Sequence, residues 1–579
     1  MNDHPAQPDP RHRSLERLAL LGILVLALAL RLLFFSDWAD VILYSSLWGD
    51  EQNFHQTALA LLGEGVDPGA FLYEPFFSFY LSLVYRLAGA QPVVAHHLQL
   101  VWGLLSVFLA YRLGRELAGP AAGLLSGLLV ALYGPLIFLE GNLLDPGITV
   151  PLLLLSLWLY FVSERTGRLW LLLPCGVAAG LVSMARPNFL LCLPVAAVFL
   201  FRQSARWRRR SLSLSLAALG LALGMAPAWI HNASRGEGLQ PVSSAGGISF
   251  FVGNHPGARG LYQVPRGESI DADSHAAYRA SLQRRAEAEE GRRLSNGEVS
   301  IYWFRRGLEF WRDHPLEALG LYFGKLLWAV NHQEAPIHHP FVFGQEVSPI
   351  LRFLPGFGTV FPFAMLGLLR AFRRRGVPLL ALCAGTYAIG MAAFYVADRY
   401  RILLLPMLWP LAALGMLELY QEARQGFRRR TLTSLAWLLG SALLSQVPLW
   451  SSEQQRHSLS AAYNLVGKLE IEAGHTEESE AHFWRAIQIA GPEHGVLARA
   501  NLGRLLLMRD RPVEARRVLE EALALDPENV KVLNILATAA EKTGDRALAI
   551  RCLTRLAELQ PQNAGVRERL ERLKSASSE

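Results

Sequence analysis

Two sets of residues have the types and spacing for proton and anion chemistry. The first lies just beyond the opening apolar stretch, in Trp48-Gly-Asp50-Glu51-Gln-Asn-Phe-His55, and continues in Tyr73-Glu74-Pro75 before the next one. A carboxylate at the edge of a membrane cavity can take the proton of an attacking hydroxyl, the general-base role. A polar loop that only solvates the surface would use the same residues. The second set is Asp398-Arg399-Tyr400-Arg401. Fixed guanidinium groups at Arg399 and Arg401, with Tyr400 between them, suit a phosphate bound by paired charged hydrogen bonds, although an aromatic with cationic neighbours also serves as an interfacial anchor. Arg186, ahead of Pro187, is a second phosphate ligand or the edge of a proline kink. Gly253-Asn254-His255-Pro256-Gly257, with Gly260, suggests a tight turn that brings backbone close to a ligand. Lys325 and Glu334 are within reach of a headgroup region, where a snorkelling lysine is equally expected. No metal is expected: His338 and His339 are adjacent, as are His96 and His97, and neighbours rarely close on one ion.

These residues must be positioned by a membrane bundle. The 579 residues are 52% hydrophobic and 18% charged, too apolar for a soluble chain of this length. About eleven spans are expected, near 18–35, 93–113, 121–139, 147–163, 169–185, 188–201, 212–231, 351–371, 377–396, 401–420 and 432–450. The first follows Arg11, Arg13 and Arg17 but lacks a small-residue cleavage pattern, so it reads as a retained span rather than a signal peptide. The net charge of +7 sits in short arginine runs beside apolar stretches, which the positive-inside rule explains without nucleic acid. That rule places residues 1–17 in the cytoplasm and the connections 36–92, 232–350 and 398–401 outside. With an odd span count the tail is also external; a further span at 315–330 would return it to the cytoplasm. Cys175, Cys192, Cys383 and Cys552 are too scattered for a disulfide framework or a zinc site.

Within the long connection, Ser295-Asn-Gly-Glu298 is a capping box that predicts a helix through Trp311. Residues 315–330 are apolar but interrupted by Glu317 and Lys325, which favours an interfacial amphipathic helix over a span. From about 458 to 575 a 34-residue period pairs Gly503 with Ala537, Asp510 with Gly544, Ala515 with Ala549 and Pro527 with Pro561; an earlier copy is offset by 36. Thirty-four is the tetratricopeptide period, so residues 451–579 are read as a soluble α-solenoid of about three repeats that binds a protein partner.

An Asp-Glu pair after the first span, Ala185-Arg186-Pro187-Asn188, the Gly253–Gly260 phrase and Asp398-Arg399-Tyr400-Arg401 before Pro406 together resemble the protein mannosyltransferase and aminoarabinose transferase superfamily, of the glycosyltransferase C fold. The resemblance covers about the first 420 residues. It implies an all-α polytopic bundle over 18–450 and transfer of a sugar from a polyprenyl-phosphate donor to an external acceptor, a protein or an envelope glycan or lipid. The resemblance carries the catalytic base over to Asp50, with Glu51 beside it; on the reading of the residues themselves, Arg399, Tyr400, Arg401 and Arg186 are the candidates to hold the donor phosphate, and His55, Glu74, Asn254, His255 and Lys325 to contact substrate. Tyr73-Glu74-Pro75 has no firm counterpart in the family's motifs. No cofactor is implied beyond the lipid-linked donor, and the Arg-, Leu- and Ala-rich style suggests a bacterial inner membrane. A non-catalytic scaffold that recruits envelope partners through the repeats is the competing reading. A transporter is disfavoured, since its site would lie near the midplane, and the nearest intramembrane carboxylates, Glu140 and Asp145, sit at the outer end of a span.

Overall fold

A computed structural model describes residues 10–203, 206–236, 240, 242–263, 265, 275–426 and 428–575. Most of the tail expected over 1–17 and parts of the 232–350 connection lie outside the described residues. The described residues are almost entirely helical, and their one β feature is an isolated parallel bridge between Leu261 and Val396. Two compact units form, Met1–Trp38 with Leu47–Leu449, and Ala39–Ser46 with Trp450–Glu579.

The first unit is a membrane-type bundle. Six of its helices are long and apolar enough to cross a bilayer: Arg11–Ala39, Pro92–Ala118, Pro146–Thr166, Trp207–Ser234, Pro349–Ala371 and Asp398–Arg424. A seventh candidate is the pair Pro120–Leu132 and Gly134–Glu140, bent by 56°. Four shorter apolar helices add to these, among them Phe76–Ala88, which hydropathy reading did not pick out. The six, the bent pair and the four shorter helices together make eleven apolar segments among the described residues; Phe76–Ala88 is among them and the stretch expected at 432–450 is not. Apolar content extends further than unbroken helix does: the helix Leu172–Ala185 stops ahead of Pro187, and a 3-10 turn at Pro187–Cys192 precedes Leu193–Arg202.

Close approach between bundle helices depends on small residues. Gly176 and Gly180 face Gly220 and Gly224, where a Cβ on Gly180 would lie 2.9 Å from the Gly224 Cα and one on Gly176 3.0 Å from the Gly220 Cα. Lipid-facing helices gain little from hydrophobic association, so backbone contact of this kind carries the packing. Deeper in the bundle, Arg31 forms a fully buried pair with Glu140 at 2.7 Å. A Cβ on Gly103 would collide with both side chains, so the glycine leaves the space the pair fills.

The capping box is formed as expected: Ser295 Oγ accepts from the Glu298 N–H at 3.3 Å and Glu298 accepts from the Ser295 N–H at 2.9 Å. It starts the helix Asn296–Asp313, and Pro315–Val330 follows as a 16-residue helix, shorter than any of the six long ones. Trp303, Phe251, Tyr278, Leu72 and Tyr395 form one apolar cluster, which locks the long connection to Leu72 in the first and to the segment leading into Asp398.

In the second unit seven helices run from Ser452–Ala473 to Ala564–Ser575, three hairpins and a closing helix. Gly467 and Gly503 occupy the close crossings, where a Cβ would lie 2.8 Å from the Phe483 ring and 2.5 Å from Leu519. The short helix Ile42–Ser45 packs on Ser452–Ala473 and so belongs to this unit, which its place in the sequence did not suggest.

Removing one partner of the Arg31–Glu140 pair leaves an uncompensated buried charge. Glu140→Leu is expected to destabilise the detergent-solubilised protein by about 3–5 kcal/mol, and Arg31→Met with Glu140→Leu to recover most of the loss. Thermal unfolding of the two variants beside the parent checks this.

Candidate active site

Gly49, at φ 60°, turns the chain so that Asp50 and Glu51 open the helix Asp50–Leu61. Carboxylates in a first turn are favoured by the partial positive charge of a helix N-terminus. On the other side of the site, the Val396 N–H donates to the Gly260 carbonyl at 2.9 Å and the Asp398 N–H to the Ala335 carbonyl at 2.8 Å, which fixes the turn Asp398–Arg401. Within the turn the Asp398 carboxylate accepts the Arg399 N–H at 2.6 Å. Arg399 then reaches across 349 residues of sequence to pair with Asp50, their side chains only 10% and 18% exposed.

A second pair adjoins the first. Arg186 donates to Asp145 at 2.5 Å, and both are buried. The Tyr400 ring receives both guanidinium groups, Arg186 at 4.6 Å and Arg399 at 5.3 Å from its centroid. Tyr400 is itself held by Tyr395, hydroxyl to hydroxyl at 3.1 Å, and by the Tyr387 hydroxyl, which donates to its carbonyl at 3.0 Å. Glu74 belongs to the same neighbourhood: burial raises its pKa, and the charges of Arg186 and Arg399 oppose the rise. Burial likewise pushes Tyr262 up to about 12, with Asp50 adding to the shift. Two arginines, three carboxylates and a set of tyrosines thus converge, an arrangement suited to binding an anion beside a proton acceptor.

Arg401 is not part of this convergence. Its guanidinium bonds to Glu334 at 2.5 Å and to the Trp328 carbonyl at 3.2 Å, and it lies 4.5 Å from the Phe357 ring centroid. The expected pairing of Arg399 with Arg401 is therefore replaced by one of Arg399 with Arg186. Two residues along a helical turn rotate a side chain by about 200°, so the two arginines point apart.

The remaining expected residues form separate groups. Lys325 Nζ donates to Asn254 Oδ1 at 3.0 Å, and Trp311 Nε1 donates to the same oxygen at 3.0 Å. Lys325 is fully buried, and burial pulls its pKa down to about 7. His255 donates through Nδ1 to the Pro256 carbonyl at 2.7 Å. His55 is bonded to the Tyr85 hydroxyl at 2.8 Å. Glu51 turns away from Asp50 and accepts the Leu143 N–H at 2.9 Å, with His338 and His339 on its other side.

Asp145, Tyr395, Trp311 and the histidine pair were not assigned to a site in the sequence. An acidic residue next to a span end singled out Asp145; the others carried no local signal, because each depends on a partner more than forty positions away or on a turn whose direction only the fold sets.

Residues 70–231 match the family model described as dolichyl-phosphate-mannose-protein mannosyltransferase, and residues 506–573 match a tetratricopeptide repeat model. No curated protein matches the chain. Among solved structures the chain is similar to ArnT from Cupriavidus metallidurans bound to undecaprenyl phosphate, at 16% identity and a TM-score of 0.38 over 93% of this chain and 80% of that one. It is also similar to the archaeal oligosaccharyltransferase AglB from Archaeoglobus fulgidus in complex with an inhibitory peptide and a dolichol-phosphate, at 13% identity and a TM-score of 0.40 over 79% of this chain. The chain spans 58% of the length of that oligosaccharyltransferase. The mannosyltransferase match includes Glu74, Asp145 and Arg186, and the repeat match falls within the helical tail.

Proposed function

We propose that the chain is a membrane glycosyltransferase that moves a sugar from a polyprenyl-phosphate donor to an acceptor hydroxyl. The observation that carries this is the part-buried Asp50–Arg399 pair beside Arg186 and Tyr400. A donor phosphate entering there would draw Arg399 away from Asp50, with Arg186 as the second guanidinium. The carboxylate released by that exchange takes the proton of the acceptor hydroxyl. The hydroxyl oxygen forms its bond to the anomeric carbon, the bond from that carbon to the phosphate oxygen breaks, and the electron pair leaves on the polyprenyl phosphate. A single displacement inverts the anomeric centre. The mannosyltransferase match over 70–231 supports this reading.

The repeat tail favours a protein as acceptor or as partner, since tetratricopeptide stacks present a concave face to peptides. The reading places the site on the external face of a bacterial inner membrane, where nucleotide sugars are absent and a lipid carries the sugar across. In this reading the substrate extends from the Arg399–Arg186 convergence to the separate group of Lys325, Asn254 and Trp311, where the lysine adds positive charge. Among the described residues no carboxylate pairs with it, and Asn254 is its hydrogen-bond partner.

Transfer from radiolabelled polyprenyl-phosphate sugars in proteoliposomes tests the mechanism. Asp50→Asn is expected to lose about 10²–10⁴-fold in rate, the usual worth of a general base. Wild-type rates from this variant would defeat the mechanism and favour a scaffold that recruits partners. A second expectation concerns pH. Because burial lowers the Lys325 pKa to about 7, its cation is present below that value and lost above it. Transfer is expected to fall as pH rises from about 6 to about 8, and Lys325→Arg, charged throughout, to flatten that limb. A parallel fall in both proteins would remove Lys325 from the donor site.

A further inference from the structure

The geometry points to a divalent metal site built from Glu51, His338 and His339. One ligand atom from each lies within 4.8 Å of the others. Glu51 Oε2 and His338 Nε2 are 3.7 Å apart, too far for a hydrogen bond. Ligands at about 2.0–2.2 Å from one tetrahedral ion stand about 3.3–3.6 Å from each other, so this separation needs little adjustment.

Three observations argue that the cluster is built for an ion and is not merely packed. First, His338 Nε2 and both ring nitrogens of His339 are buried without a hydrogen-bond partner. Leaving such atoms unpaired costs free energy that a bound cation would offset. Second, the Glu51 carboxylate is 2% exposed, and among the described residues no lysine or arginine pairs with it. A buried carboxylate needs a compensating charge, and a dication supplies one. Third, the ligands are held in place. The Leu143 N–H occupies Glu51 Oε1 at 2.9 Å and leaves Oε2 directed at the histidines. This is the outer-shell support that orients metal-binding carboxylates. Pro336 and Pro340 flank the histidine pair, and Gly49 leaves room beside it: a Cβ there would lie 3.2 Å from His338 Cε1.

Adjacency argued against these histidines in the sequence, since two neighbours alone seldom close on an ion. The fold supplies the missing third ligand from a residue 287 positions away. Two imidazoles and one carboxylate, with a fourth position open to water, match the preferences of Zn²⁺. Glu51 adjoins Asp50, so the ion would fix the first turn of the helix that carries the proposed base.

The test uses the full chain in detergent micelles, stripped with a chelator and titrated with Zn²⁺ while binding is read by calorimetry and bound metal by mass spectrometry. Wild type is expected to take up one equivalent tightly, and Co²⁺ in its place to give the visible absorption of a tetrahedral site. His338→Ala with His339→Ala should lose that equivalent and the absorption while keeping the parent's gel-filtration profile. His457→Ala with His494→Ala removes a second, more exposed cluster with Glu453 in the helical tail and should leave uptake unchanged. Should the His338/His339 variant misfold, Glu51→Gln, which keeps the side chain's shape, is expected to lower Zn²⁺ affinity by at least tenfold. The proposal is overturned if wild type binds no Zn²⁺, if uptake survives the His338/His339 change, or if it disappears only with the tail pair. None of these readouts depends on sugar transfer.

Discussion

A carboxylate and a guanidinium withdrawn from water are tolerable only in each other's company, and the pair between Asp50 and Arg399 imposes that condition on the whole bundle. One partner follows the first long helix and the other opens the last of the six long ones. For them to meet, the connections on both sides must be rigid. The apolar cluster around Trp303, Phe251 and Tyr395 provides this, together with the short backbone link between Gly260 and Val396. The capping box that starts Asn296–Asp313 therefore contributes to the site indirectly, because that helix carries Trp303 and Trp311 to their places.

Buried arginines recur through the unit, and each has its own carboxylate: Arg31 with Glu140, Arg186 with Asp145, Arg399 with Asp50, and Arg401 with Glu334. Their surroundings separate them by role. The Arg31 pair is sealed among helices and has no exposed atoms to offer a ligand. Arg401 is saturated by a carboxylate and backbone carbonyls. Arg186 and Arg399 share an aromatic ring and retain nitrogens without a hydrogen-bond partner, so these two can accept an anion at the lowest cost.

Much of this was legible in the residues themselves. Composition and hydropathy determined a membrane bundle, the 34-residue spacing determined a repeat tail, and Ser295 with Glu298 determined a helix start, because each depends on neighbours within a few turns of chain. The types at Asp50, Arg186 and Arg399 announced acid–base and anion chemistry for the same reason: a side chain carries its functional group wherever it sits.

Partnership was a different matter. Whether Arg399 would act with Arg401 or with Arg186 turned on about 200° of helical rotation and on Glu334 lying where it could take Arg401 away. The number of unbroken helices depended on where prolines end them, not on how apolar the stretches are. The company of His338 and His339 depended on a glutamate from the opposite end of the unit. Local chemistry is written in local sequence, whereas the distances that make it a site come from contacts between residues hundreds of positions apart, and those exist only once the helices have packed.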